Sequence, residues 1–408
     1  MAIAHRKGLA AALMLAGALL LAASPAQADV MKASPSFRKA AEAAQASLET
    51  GDLPAANTRI SSLQPASALE KYMLASLRFE YAARRNDLRA QRSAVAEMLA
   101  SGAAPEKQQG YLHYLLGYSS AQLGDANDAL SHLSNARKAG YDTSEVALLM
   151  AEVHLRRHQG AEALAQFNQA IAKEDAAGRA VPASWLERGA AIAYSQKNYP
   201  GFVALVTRRL RMAAGPGEWR TAISSYIAGA AADKEAQLDL YRLQNAIGAL
   251  ATERDYHAYS RLAAELGYAS EAQSVIEAGR ARGKLLPADA VTAPLLASLK
   301  AKATANLAEA QKLQGKAASA ASGPVALKGG DRLLSAGQYA AAAAYYDQAL
   351  RKGGVDKDKI GARLGIALAR AGETERAKTV LAQVGGRWGE VAAYWASFVA
   401  NPPSAVAS

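Results

Sequence analysis

Two stretches in one register, 34 residues apart, constrain this chain more than any other feature. Gly117 is followed at that distance by Ala151, Ala129 by Ala163, Leu133 by Phe167, and Ala136 by Ala170. A fixed period with small residues at fixed offsets predicts helical hairpins stacked into a solenoid, because one hairpin alone cannot bury its apolar faces. The local chemistry agrees. Gly117 on a first helix and Ala129 on a second let two backbones approach, and Leu133 or Phe167 fills the space beside them as ridges fill grooves. Gly124 predicts a left-handed helix end. Asp125 is expected to cap the next helix through its side chain, with Asp128 in the first turn.

Read in order, residues 36–64 predict a first hairpin turning at Gly51-Asp52, and residues 66–100 a second turning at Asn86-Asp87. The two clear repeats turn at Gly124-Asp125 and around His158-Gln159-Gly160. A fifth unit begins at Trp185, with Phe202 where an alanine is expected. Gly215-Pro216-Gly217 is a strong break. Helix pairs are then expected over 218–250 and 254–282, with Gly267 at the later turn. Residues 287–323 are rich in Ala and Lys, and Gly315 to Gly323 reads as a flexible linker. The repeat signal returns at Gly337, Ala342, Tyr346 and Ala349, and again 35 residues on at Gly372, Ala377, Leu381 and Val384. Residues 387–400, with Trp388, Tyr394, Trp395 and Phe398, predict a closing helix over the exposed apolar end of the stack.

The small-large-small pattern of Ala163, Phe167 and Ala170, repeated at Ala342, Tyr346 and Ala349, resembles the tetratricopeptide repeat family. Trp185 and Gly189 match the tryptophan and glycine of that family's first helix. The stretch from Leu238 to Tyr256, with Glu271-Ala272, also resembles exported bacterial tetratricopeptide proteins that have no assigned activity. The resemblance implies an all-α, right-handed superhelical α-solenoid that binds a protein or peptide ligand in its concave groove. It implies no catalytic residues and no cofactor. The expected organisation is a signal peptide over 1–28, an N-terminal solenoid over 29–286, a helical joint and linker over 287–323, a C-terminal repeat pair over 324–386, and a capping helix and tail over 387–408.

Arg6 and Lys7, the apolar run from Gly8 to Ala23, Pro25 and the small-x-small Ala26-Gln27-Ala28 predict a secretory signal cleaved after Ala28. The run is short for a spanning helix, and no later stretch is apolar enough to cross a bilayer. The chain is therefore expected to be periplasmic or secreted in a bacterial envelope. It contains no cysteine, which removes disulfides, thiolate metal sites and a cysteine nucleophile. Without Arg6 and Lys7 the formal charge falls from +11 to +9. Residues 301–408 carry 14 Lys and Arg against 8 Asp and Glu, so a basic surface could attract an anionic envelope glycan. A secreted chain without a nucleic-acid motif is not expected to bind nucleic acid.

Candidate chemistry is sparse. His154 and His158 lie four apart, which places both on one helix face. A zinc site needs a third ligand, and Arg156 and Arg157 between them repel a cation, so no metal is expected there. The sequence has no nucleophile elbow, phosphate loop or dinucleotide fingerprint. Tyr111, Tyr114 and Tyr118 form one helical stripe, and Leu112, Leu116 and Leu123 another. If the leucines are core, the tyrosines face the groove, where an aromatic ring with a polar tip suits recognition. Glu152 and Arg156 occupy the equivalent stripe one repeat later. These five residues are the candidate groove-binding set. The reading is a non-catalytic protein- or peptide-binding scaffold. Its alternatives are a recognition module for anionic cell-wall or surface polysaccharide, and an envelope enzyme with a helical-solenoid body.

Overall fold

The computed structural model describes residues 32–212 and 214–402, so the signal segment and the cleavage site lie outside the described residues. The described chain is all-α: twenty α-helices and a short 3-10 segment, with no strand among the described residues. It divides into two compact units at Val181 and Pro182. The first unit holds four hairpins. They are α1 (Pro35–Glu49) with α2 (Leu53–Ser62), α3 (Ala68–Arg84) with α4 (Leu88–Ala100), α5 (Glu106–Gln122) with α6 (Ala126–Lys138), and α7 (Ser144–Arg156) with α8 (Gly160–Ala176). The second unit runs α9 (Ala183–Ser195), α10 (Tyr199–Leu210), α11 (Pro216–Gly229), α12 (Lys234–Ala246), α13 (Glu253–Glu265) and α14 (Ala269–Ala281). It continues with α15 (Thr292–Ser319), α16 (Pro324–Ser335), α17 (Tyr339–Lys352), α18 (Lys357–Ala371), α19 (Thr374–Leu381) and α20 (Gly389–Ala400).

One spacing explains most hairpins. A small residue on the first helix is followed sixteen residues later by a large buried one on the second: Ala44 and Ile60, Ala82 and Met98, Gly117 and Leu133, Ala151 and Phe167, Gly189 and Leu205, Ser260 and Ile276, Gly330 and Tyr346, Gly365 and Leu381. At Gly117 a side-chain carbon would stand 2.7 Å from Leu133 Cγ, and at Gly330 one would stand 2.8 Å from the Tyr346 ring. The ridge of one helix thus needs a missing side chain on the other. Ala129, Ala163, Ala342 and Ala377, the alanines expected at closest approach, are all fully buried.

Turn chemistry supplies the rest. The tight turns place a left-handed residue at Gly51, Asn86, Gly124, His158, Lys197, Ala231, Gly267, Gly337 and Gly372. Asp52 and Asp87 then cap α2 and α4, each accepting a backbone N–H at 3.0 Å. Asp125 departs from the expectation. It makes no side-chain cap to α6, because Arg92 of the preceding hairpin draws its carboxylate away at 3.1 Å. A second acid ties the first unit's beginning together. Buried Glu70 accepts from Ser34 N and Oγ at 2.8 Å each, from Ala66 N at 2.7 Å and from Ser67 N at 3.2 Å.

One expectation for the later chain is corrected and another is extended. Gly315 does not open a linker, because it lies inside the 28-residue helix α15, which packs on α14 and α16. A run of Ala, Lys, Gln and Leu outweighs the roughly 1 kcal/mol helix penalty of one glycine. The closing helix exists as α20, yet it does more than cover the last hairpin. It packs on α19 and α18 and also on α10 and α12, near the start of the same unit. Trp395 Nε1 donates to Asp239 O at 3.0 Å, Tyr394 Oη to Ala222 O at 3.1 Å, and Ser397 Oγ to Thr207 O at 3.3 Å. The second unit therefore closes on itself.

Candidate functional site

In the first unit the candidate surface grows from Gly110. A side chain there would collide with Ala139 O at 2.9 Å and with Tyr141 Cβ at 2.7 Å, so the glycine lets the α6–α7 loop lie against α5. That contact brings the Tyr141 ring within 5.4 Å of both Tyr111 and Tyr114, which stack on each other at 6.1 Å. Ring pairs at these separations are favourable and hold one another in place. Tyr114 is 5% exposed and packs with Leu133, Ala136 and Val146 as part of the core. Tyr111 is half-buried, and burial, with Tyr141 beside it, pushes its phenol up to about 12. Tyr118 is 37% exposed. The stripe is thus split: its centre is core, one edge is shared with the loop, and its far end faces solvent. Of the other stripe, Leu112 and Leu116 are buried as expected, while Leu123, just past the end of α5, is half-buried.

The acidic and basic members of the set, Glu152 and Arg156, also separate, and a further acid, Glu145, lies on the same helix. Glu145 is exposed in the first turn of α7, where the helix N-terminus favours a carboxylate. Its charge, after burial and Tyr141, helps raise the Tyr114 phenol. Glu152 is half-buried. Arg156 donates through Nη1 to Ala121 O at 2.6 Å, a carbonyl at the end of α5, so its guanidinium is engaged in joining the two hairpins. Tyr141 is the residue that sequence reasoning missed. Its only signal is the glycine at 110, whose partner is invisible until α5 and the loop are paired.

The histidine pair is not one face. Helix α7 ends at Arg156, and His158 sits in the turn with φ of 58°. His154 Nδ1 lies 2.9 Å from Gln159 Oε1. A different pair meets across a hairpin, His113 and His132, with Nδ1 atoms 3.2 Å apart. Burial, and then His132, lower the His113 pKa.

The second unit places its charge inside. Arg363, fully buried on α18, donates to Asp331 at 2.8 Å and to Asp239 at 3.3 Å. Arg242 grips Glu271 with two bonds of 2.8 and 2.6 Å and also meets Asp239. Tyr259 Oη donates to Glu271 and Tyr346 Oη to Asp331 at 2.7 and 2.8 Å. Burial works against both guanidinium charges, but the facing carboxylates outweigh it and hold their pKa values well above the usual one. Only Arg363 Nη2 lacks a hydrogen bond there, with Glu235 3.8 Å away. A charged network this enclosed offers structure rather than an exposed catalytic group. An open recess of about 700 Å³ lies elsewhere in this unit, walled by Arg261, Leu295, Leu299, Lys302 and Arg332.

No helix of the described residues is long and apolar enough to cross a membrane. No protein-family model matches the sequence, and no curated protein is similar to it. Among solved structures the chain is similar to a tetratricopeptide repeat protein from Parabacteroides merdae, at 14% identity and a TM-score of 0.33, over 73% of this chain and 99% of that one. It is also similar to the Cut9–Hcn1 hetero-tetramer of the APC/C, at 13% identity and 0.27, over 90% of this chain and 69% of that one. A third is PilF of Pseudomonas aeruginosa, at 15% and 0.20, over 70% and 97%. Likeness at this level adds nothing about function. The assignment to stacked tetratricopeptide-like hairpins rests on the packing described above.

Proposed function

We propose that the chain is an exported, non-catalytic binding scaffold whose partner surface is the aromatic face of α5 and α7 in the first unit. The observation that carries this reading is the exposure of Tyr118 at the end of a stripe whose other rings are fixed by packing. A preorganised aromatic edge costs little entropy to bind. Tyr111, Tyr118 and Tyr141 supply ring surface, and Glu145 and Glu152 supply negative charge. A peptide segment with an apolar and a basic residue fits that chemistry. Export, with cleavage after Ala28, follows from the signal sequence and would put the partner in the envelope.

The glycan reading has less support. Of the 14 cations in residues 301–408, Lys328, Arg332, Lys359, Arg363, Arg376, Lys378 and Arg387 are held in ion pairs. The test compares captures from envelope extract by the wild type, by Y118A combined with E152R, and by R387A in the second unit. A partner retained by the wild type and R387A but lost by the double variant supports the surface. A partner retained by all three places binding elsewhere.

A further inference from the structure

We propose that Glu253, His257 and Asp289 form a binding site for a zinc-class divalent transition-metal ion, tying the first turn of α13 to the loop that enters α15. Three carboxylate oxygens converge on one ring nitrogen. His257 Nε2 lies 3.5 Å from Glu253 Oε1, 3.1 Å from Asp289 Oδ1 and 3.0 Å from Asp289 Oδ2. The three residues' ligand atoms lie within 4.8 Å of one another. A single N–H on that nitrogen can serve one acceptor well, whereas an ion in its place can meet both carboxylates.

The spacing suits the ion. Zinc binds imidazole and carboxylate at about 2.0–2.2 Å, so neighbouring donors of a tetrahedron stand roughly 3.3 Å apart. The observed 3.0 and 3.5 Å bracket that value. The donor set also selects. One nitrogen and two carboxylates suit zinc, cobalt or manganese, while calcium asks for about six to eight oxygens. Two carboxylates and a neutral imidazole balance a dication.

Each ligand is held differently. Asp289 Oδ1 accepts from Thr292 N at 2.6 Å, Thr292 Oγ1 at 2.7 Å and Val291 N at 3.1 Å. Those bonds fix the carboxylate and leave Oδ2 for the ion, the supporting arrangement that metal sites use. Glu253 sits one helical turn before His257 with its side chain 61% exposed, so water can complete the shell on that side. Arg280 on α14 is turned to Pro287 O at 2.8 Å, and Arg282 to the Tyr256 hydroxyl at 3.4 Å.

The test uses the full chain stripped with a chelator. Zinc titration by calorimetry and cobalt titration by visible absorption should each show one ion per chain. H257Q, which keeps a hydrogen-bond donor toward Asp289, should abolish the cobalt band with the circular dichroism spectrum unchanged. E253Q and T292V should each weaken binding at least about tenfold, T292V by loosening Asp289. H154Q on α7 should change nothing. A wild type that takes up no ion overturns the site, and so does uptake that survives H257Q, which would mark adventitious binding at histidines such as His113 and His132. Should H257Q fail to fold, E253Q decides the matter: it alters an exposed side chain, and unchanged affinity there overturns the proposal.

Discussion

The two units are made by one local rule and differ in how they end. In the first, each hairpin packs mainly on the next, and polar groups sit at the seams: Glu70 under Ser34, Arg92 on Asp125, Arg156 on Ala121. In the second, the last helix returns to α10 and α12, and two arginines with three carboxylates join α12, α14, α16 and α18. A period in sequence dictates neighbour packing equally in both. It says nothing about whether the ends meet, because closure depends on a handful of residues outside the repeating positions.

That difference can be broken most forcefully at α20. Removing the chain from Gly386 onward should collapse hydrogen-exchange protection across the second unit and leave the first unit's protection intact. W395A alone should cost about 3–5 kcal/mol, the usual loss for a buried aromatic cut to alanine, read by denaturant titration with exchange assigning the loss to residues 182–402. A uniform loss over both units would erase the distinction.

Arg363→Met should follow closely, at about 3–5 kcal/mol, since it leaves Asp331 without its cation and Asp239 with Arg242 alone. Adding D239N and D331N should recover part of that loss. An unchanged midpoint for R363M would show that the network does not hold the closure.

The shared rule predicts equal costs. A129L in the first unit and A342L in the second should each destabilise by about 1–3 kcal/mol through overpacking, seen in the melting of each unit. A twofold or larger disparity would mean that the hairpins are not equivalent.

Titration separates the units further. Glu70 is buried and its pKa is lowered: burial raises it, but the bonds from Ala66, Ser34 and Ser67 outweigh burial. A lowered folded-state value contributes stability above the unfolded pKa of about 4.3, and that contribution is lost as pH falls through the folded value. E70Q should therefore destabilise the first unit by about 1–3 kcal/mol at neutral pH, with the gap to wild type closing in acid. A gap that persists there would detach the effect from ionisation.

The smallest effect lies at a turn. His158 holds a left-handed conformation that glycine adopts freely, so H158G should stabilise the first unit by about 0.5–1 kcal/mol. A lower melting temperature would show that the imidazole makes a contact worth more than the backbone strain.

Much of the fold was legible because its determinants are local. Gly124, Asn86 and His158 announce turns, and Gly117 with Leu133 announces a close approach. The candidate surface was half legible. Tyr111, Tyr114 and Tyr118 share a stripe by arithmetic, yet Tyr141 and Val146 cover Tyr114, and neither can be assigned to it without the loop's path. Gly315 misled because a lone glycine is weighed against a whole helix. The pairing of Arg363 with Asp239 spans 124 residues, a distance over which a single sequence carries no signal.

Closure of the second unit also sets a timetable. A chain is made from its N-terminus, and contacts between distant positions form slowly because the loop between them must first be ordered. Each hairpin of the first unit can dock on its predecessor as soon as it emerges. The second unit must wait: Ser397 meets Thr207 across 190 residues, so α10 to α12 stand with an unfilled seam until α20 arrives. That interval is when exposed apolar surface invites misassembly. The dozen residues of α20 are thus the ones whose arrival closes the second unit.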